Sequence, residues 1–296
     1  MTNQIVIPYL WYDTQATEAA EFYVATFGAN SHIKHIMTLD ETPSGSVDMV
    51  TFDILGYEFR AISAGPLFKF TPAISFHVKC ATTAEVDTIW QALSDGATIL
   101  MELGNYPFSP YYGWLQDKYG VSWQIILTDN LVDQPRIVPA FLFVGDVCGQ
   151  TESAINHYTN LFPNSQINTL QRYGAQAAPD QEGTVQYSNF TLAGQEFIAL
   201  DSAHAHAFSF NEAISLMVIC PTQADIDHYW DNLSAVPEAE QCGWLKDRYG
   251  ISWQIVPATM DELMNHSDPD VMARVTAAFL QMKKFDIATL QAVANQ

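Results

Sequence analysis

The chain has 296 residues, 48% of them hydrophobic, and a formal net charge of −21. That length suits about two domains of roughly 150 residues, each with enough apolar material for its own core. Twelve Lys and Arg against 33 Asp and Glu, with no basic cluster, argue against DNA, RNA or an acidic membrane as partner. No apolar run approaches the about 20 residues of a membrane span. The N-terminus has neither a basic segment nor a long apolar run, so no signal peptide is expected. Cys80, Cys148, Cys220 and Cys242 show no CxxC pair and no zinc spacing. Reduced thiols in a cytoplasmic protein are the expectation. Asn189-Phe190-Thr191 is formally a glycosylation sequon, without meaning unless the chain is exported.

In chain order, Ile5 to Tyr12 is β-branched and aromatic and predicts a strand. Thr17 to Phe27 predicts a helix, with Ala20, Val24 and Phe27 on one stripe, Thr17 as N-cap and Gly28 as its end. Strands are predicted over Ser31–Thr38, Ser46–Leu55 and Tyr57–Ser63, the last two joined at Gly56. This β-α-β-β-β pattern then recurs. Ala73–Cys80 predicts a strand, and Thr83–Leu93 a helix burying Val86, Ile89, Trp90 and Leu93. A short strand is expected over Thr98–Glu102, a loop over Asn105–Pro110, and a closing hairpin from Tyr111–Gln116 to Val121–Thr128.

That closing stretch organises the chain. GWLQDKYGVSWQII at Gly113–Ile126 returns as GWLKDRYGISWQIV at Gly243–Val256, with conservative changes only. A match this long within one chain marks a tandem duplication. The polar stretch 129–136 reads as a linker. The second copy follows the first: Pro139–Val144 matches the first strand, and helix Glu152–Phe162 matches Glu18–Phe27. Phe208-Ser209-Phe210 then Ala213-Ile214-Ser215 matches Phe68-Lys69-Phe70 then Ala73-Ile74-Ser75, and helix Ala224–Leu233 matches Ala84–Leu93. Between that helix and the closing hairpin the second copy is about ten residues shorter; the stretch Leu103–Tyr112, a lid or a packing insertion, belongs to the first copy alone. A tail helix capped by Asp268, with Pro269 in its first turn and Met272, Val275, Phe279 and Met282 on one face, precedes a short helix over Ile287–Ala294. The expected division is module 1 at 1–130, module 2 at 131–260 and a helical tail at 261–296.

Paired β-α-β-β-β halves with Pro8-Tyr9-Leu10-Trp11-Tyr12, Ala19-Ala20-Glu21-Phe22-Tyr23, Phe68-Lys69-Phe70, Ala73-Ile74-Ser75-Phe76 and the two closing hairpins resemble the vicinal oxygen chelate superfamily. Its members include glyoxalase, extradiol dioxygenases and bleomycin-resistance proteins. Within it the likeness is to the PhnB-like group, labelled 3-demethylubiquinone methyltransferase-like, and covers about residues 4 to 257. The resemblance implies an α+β fold of tandem modules, each of two βαβββ halves forming a cupped mixed sheet. It also implies pairing of modules within the chain, with a homodimer through the tail left open. Metal-using members place His or Glu on the first, fourth, fifth and eighth strands, where open positions on the ion take a substrate's oxygens. Here the matching positions are Val6 or Pro8, Ala73 and Ala213, Ala61–Ser63 or Ala199–Asp201, and Gln124 and Gln254. Only Asp201 could ligate, so no cofactor is predicted; a divalent metal stays the alternative.

Strand parity assigns faces. Ile74, Phe76, Val78 and Cys80 should pack on helices, leaving Ser75, His77 and Lys79 in the cup. Likewise Val121, Trp123 and Ile125 go to the helices, and Ser122, Gln124 and Ile126 inside. The predicted ligand-binding set is Ser75, His77, Ser122 and Gln124, with Ser215, Ser252 and Gln254 at matching places in the second copy, where Met217 replaces His77. Other candidates are weaker on chemical grounds. His32 and His35 face opposite ways. His204 and His206 fall in an expected loop. Trp114, Trp123, Trp244 and Trp253 read as core, and Cys242 lacks a partner base. Three functions follow: a metal-independent small-molecule binder, a metal-dependent isomerase, lyase or dioxygenase with a rearranged site using His77, Asp201 or Glu102, and the methyltransferase of the group's label. The last would want a glycine-rich strand–helix turn that the sequence lacks.

Overall fold

The computed structural model describes residues 4–42, 45–129, 131 and 134–296, without the side chains of 40 and 41. The linker expected over 129–136 and the extreme N-terminus lie partly outside these residues. The first half of module 1 is β1 Val6–Tyr12, α1 Ala16–Phe27, β2 His32–Thr42, β3 Gly45–Ile54 and β4 Tyr57–Ser63. The second is β5 Ile74–Cys80, α2 Thr83–Ser94, β6 Thr98–Tyr106, β7 Ser109–Gln116 and β8 Ser122–Leu127. Module 2 supplies β9 Ile137–Phe143, α3 Thr151–Leu161, β10 Gln166–Arg172, β11 Val185–Leu192 and β12 Gln195–Asp201, then β13 Ile214–Cys220, α4 Gln223–Leu233, β14 Trp244–Lys246 and β15 Ser252–Pro257. The tail forms α5 Met260–Met264, α6 Pro269–Phe279 and α7 Ile287–Ala294.

The α+β fold of tandem halves is as expected, three of them βαβββ and the fourth, β13-α4-β14-β15, one strand shorter. The partnership of the halves is not. The eight-stranded sheet runs β10-β11-β12-β9-β5-β8-β7-β6, joining the second half of module 1 to the first half of module 2. The other sheet runs β14-β15-β13-β1-β4-β3-β2. The eight-stranded sheet is therefore not drawn from one module. The reason is local: β5 pairs with β8 on one side, and its other edge accepts β9 antiparallel, with Ser75 opposite Ala140 and His77 opposite Val138. Any first strand with this apolar pattern fits that edge, and a duplicated sequence does not say which copy supplies it.

By compactness the chain forms two units, one built mainly of Tyr9–Ile214 and one of Ile5–Pro8 with Ser215–Gln296. In the first, the helix-facing side of the eight-stranded sheet is a core of Phe76, Trp123, Phe141, Phe190 and Phe197, all 0% exposed. Thr82 caps α2 by accepting from the Glu85 amide at 3.2 Å. Thr71 Oγ1 donates to the Ser209 carbonyl at 3.0 Å and Asn211 Nδ2 to the Lys69 carbonyl at 2.8 Å, tying the two repeated Phe-x-Phe loops together. In the second unit, α4 carries a complete capping box between Thr222 and Asp225.

Several expectations shift. The N-cap of α1 is Gln15, without a side-chain bond, rather than Thr17. The loop expected over Asn105–Pro110 is part of a long β6–β7 hairpin whose turn is Pro107-Phe108; the alternating backbone of Leu103–Tyr106 finds ladder partners in β7 that a prolyl loop would not. The tail helices begin as expected, with Asp268 and Asp286 accepting from the amides of Asp270 and Thr289. Of the expected stripe Val275 is buried, together with Val271 and Thr276; Met272 and Phe279 are half-buried, and Met282 lies beyond the helix end.

Candidate functional site

The repeated closing element explains itself in local terms. Asp117 is 4% exposed, and its Oδ1 accepts from the amides of Tyr119 at 2.9 Å and Val121 at 3.1 Å. Its Oδ2 accepts from Trp123 Nε1 at 2.8 Å and Tyr23 Oη at 2.7 Å. Burial pushes this carboxyl's pKa up while the four donors pull it down. Asp247 repeats the arrangement with Tyr249, Ile251 and Trp253. The Asp, Gly and second Trp of the motif are thus turn and core. Trp123 and Trp253, both 0% exposed, pack as expected. Trp114 does not: it lies opposite Gln124 on the concave side and donates through Nε1 to Ser122 Oγ at 2.8 Å.

The concave side of β5, β8 and β7 carries Ser75, His77 and Lys79, then Ser122, Gln124 and Ile126, then Tyr112 and Trp114, because residues opposite one another in a ladder share a face. Ser75 (2%), Ser122 (0%) and Gln124 (8%) are buried. Gln124 is the hub. Its Nε2 donates to Ser75 Oγ at 2.7 Å, its Oε1 accepts the Tyr112 hydroxyl, and its side chain also bonds His77. Sequence reading missed Tyr112; its parity with Trp114 and Gln116 on the hairpin could have found it. Burial, with Lys79 adding repulsion, lowers the pKa of half-buried His77 from 6.5 to about 3, so the ring is neutral at ordinary pH. Lys79 Nζ reaches across β9 to Glu196 Oε2 at 2.9 Å.

The floor continues onto β9 and β12 as an apolar cluster of Val138, Ala140 and Ile198, with Tyr187 and Leu200 beside it. The β9 positions opposite His77 and Ser75, Val138 and Ala140, therefore carry hydrocarbon, not ligands. Ala73 lies just outside β5, so Ser75 and His77, rather than Ala73, stand next to Gln124. Asp201 is 1% exposed and fully committed elsewhere: Oδ1 accepts from Gly149 N at 2.7 Å and Thr151 Oγ1 at 2.7 Å at the start of α3, and Oδ2 from Val185 N at 2.8 Å. Glu102 is exposed on β6. His206 Nε2 is 2.9 Å from Ser202 Oγ and His204 Nε2 is 3.6 Å from Asp180, so the two rings face different partners. Among the described residues no group of three or more His, Cys, Asp or Glu could hold a metal ion. The donor set of the cup, one imidazole and one carboxamide bonded to each other, does not fit a divalent ion.

In the second unit, Gln254 Nε2 donates to Ser215 Oγ at 2.8 Å, repeating the Gln124–Ser75 pair. Ser215 (0%), Ser252 (2%) and Gln254 (4%) are buried, and Met217 is 5% exposed. The structure thus brings Ser75, His77, Ser122 and Gln124 together on one face, and Ser215, Ser252 and Gln254 together on another.

A family model described as 3-demethylubiquinone-9 3-methyltransferase matches residues 4–126 and again 135–256. Among solved structures, a putative 3-demethylubiquinone-9 3-methyltransferase, the PhnB protein from Bacillus cereus, is 41% identical over 42% of this chain and 100% of its own, with a TM-score of 0.40. Glyoxalase I from Zea mays is 11% identical over 89% of this chain and 98% of its own, with a TM-score of 0.57. A putative dioxygenase from Bacillus subtilis subsp. subtilis str. 168 is 12% identical over 88% and 89%, with a TM-score of 0.50. The last two share the fold. No curated protein matches the chain. With the family model matched twice and the βαβββ halves in place, the chain belongs to the PhnB-like, 3-demethylubiquinone-9 3-methyltransferase-like family of the vicinal oxygen chelate fold.

Proposed function

We propose that this protein binds a small organic molecule on the concave face of β5 and β8, without a divalent ion. The observation that carries the reading is the Gln124 hub: an uncharged set of Ser75, Tyr112 and His77 around one amide, bordered by the hydrocarbon of Val138, Ala140 and Ile198. Such a surface orients a ligand through a few polar contacts and buries the rest of it. An ion in its place would want carboxylates or several imidazoles. Binding rather than turnover is supported by what the hydroxyls do. Ser75 Oγ accepts from Gln124, and among the described residues no carboxyl orients His77 as a triad would require. Methyl transfer finds no support in the sheets, since the glycine-rich strand–helix turn of a doubly wound fold has no counterpart in them. A cytoplasmic location goes with this reading; no helix among the described residues is long and apolar enough to cross a membrane.

The test is elemental analysis of tag-free protein, followed by thermal shift with Ni, Zn, Mn and Fe(II) and with a library of small metabolites. We expect no stoichiometric metal, no stabilisation by the four ions, and stabilisation by at least one organic compound. One tightly held ion per chain would overturn the metal-free part of the reading and direct assays to isomerase and dioxygenase chemistry.

A further inference from the structure

The two copies differ at the cup in two ways that coincide. Module 1 has His77 where module 2 has Met217, and Tyr112 where module 2 has Cys242. Tyr112 belongs to the β6–β7 hairpin, which module 2 lacks. On that hairpin Tyr106, Phe108 and Tyr112 form one aromatic group. Tyr106 and Phe108 stack with centroids 5.6 Å apart, and Phe108 meets Tyr112 edge-on at 5.0 Å. Tyr112 is 3% exposed and its hydroxyl reaches Gln124, so this group continues directly into the polar hub. Phe108 at the turn is 63% exposed. A phenylalanine so placed contributes little to folding by burial, since that gain scales with the area removed from water. Its exposed ring instead extends the Tyr112 wall outward from the cup.

Resting on the small-molecule reading above, we propose that the chain holds one such site, on the His77 side, and that its ligand is a planar aromatic molecule carrying a hydrogen-bond donor. The ring of the ligand packs against Phe108 and Tyr112, and its O–H or N–H donates to the imidazole nitrogen of His77 that Gln124 leaves free. The chemistry follows from the hub's inventory. Gln124 Oε1 is the acceptor end that takes Tyr112, and the Gln124 bond to His77 favours the protonated ring, as an amide oxygen facing a ring N–H does; the other nitrogen of the neutral ring is then an acceptor. The second unit offers Ser215 and Gln254 bonded to each other, with neither the imidazole nor the aromatic hairpin.

The test uses three fluorinated probes on the full chain, followed by fluorine NMR titration: 4-fluorophenol, 4-fluoroanisole, which lacks the donor, and 4,4-difluorocyclohexanol, whose ring is saturated and not planar. We expect 4-fluorophenol to bind at one site per chain and both controls to bind about tenfold more weakly, the scale of one hydrogen bond or one aromatic contact. Phe108→Ala, at an exposed position that leaves the fold intact, should weaken 4-fluorophenol about fivefold. His77→Met, its melting temperature checked first, should reduce it to the level of 4-fluoroanisole. Leu67→Ala, another exposed apolar residue (71%), should change nothing. Equal loss in Leu67→Ala and Phe108→Ala means non-specific adsorption and overturns the proposal. Half the binding capacity surviving in His77→Met overturns the single site. If 4-fluorophenol fails while a non-aromatic compound from the metabolite library binds, this inference falls and the small-molecule reading stands; if nothing binds, both fall.

Discussion

The closing elements of the two modules are the same sequence in different surroundings. In each, the Asp of Asp-x-Tyr-Gly gathers two turn amides and an indole N–H, and the Gln two residues beyond the motif's Gly-x-Ser pairs with a serine on the neighbouring strand. What lies beside the element differs. In module 1 the outer edge of β7 is covered by β6, and Gly113 leaves room for Trp90 of α2. In module 2 the strand equivalent to β6 is missing, and the tail takes its place. Cys242 N donates to the Met282 carbonyl at 2.8 Å and Gly243 N to the Lys283 carbonyl at 2.7 Å. Phe285 occupies the space that a Cβ at Gly243 would need, the role Trp90 has at Gly113. Gln223 clamps the tail by donating to the Phe285 carbonyl at 3.0 Å, and Lys284 pairs with Asp227 at 2.9 Å. An exposed strand edge is a liability that a fold must cover. The comparison teaches that a local motif specifies its turn, while the cover of its edge comes from whatever chain length is at hand.

The strongest way to break the parallel is at its shared centre. Asp117→Ala leaves four donors without an acceptor, at about 1–3 kcal/mol for each buried group, so a loss of about 3 kcal/mol or more is expected in urea denaturation. Asp247→Ala should cost a similar amount; a neutral result at either position would deny the turn its role. The covers come next. Phe285, 4% exposed, is expected to cost about 3–5 kcal/mol when changed to Ala, and deletion of the tail after residue 266 should produce concentration-dependent association by ultracentrifugation as β14 loses its cover.

The third prediction separates the modules by pH. His77 has a folded pKa of about 3 against 6.5 when unfolded. Between these values the unfolded chain binds the extra proton, so stability rises with pH through the window and falls as pH drops from about 6.5 toward 3, by up to about 1.4 kcal/mol per unit. His77→Met, the residue of module 2, should remove that slope in denaturation curves measured from pH 7 to 4. The smallest expected effect is Tyr112→Phe. It deletes one hydroxyl from the Gln124 hub and should cost about 1 kcal/mol, read as a modest fall in melting temperature; no change would make the hub's outer bond dispensable.

Much of this molecule was legible in its sequence. The duplication, the βαβββ order and the tail helices follow from spacing and caps such as Asp268 and Asp286, because these signals act within one or two turns of chain. The faces of β5 and β8 follow from the strict alternation of side chains, which puts Ser75, His77 and Gln124 on one side whatever the strands pair with. Three matters needed tertiary structure. Asp201, the one ligating residue at a metal-family position, caps α3 through contacts some fifty residues away. The joining of β5, on the edge that β8 leaves open, to β9 rather than to the first strand of its own module is a choice between equivalent partners that duplicated sequences leave open. The cover over β14 is supplied by residues 280–285, far along the chain, because a missing edge strand is felt only once the sheet exists to need it.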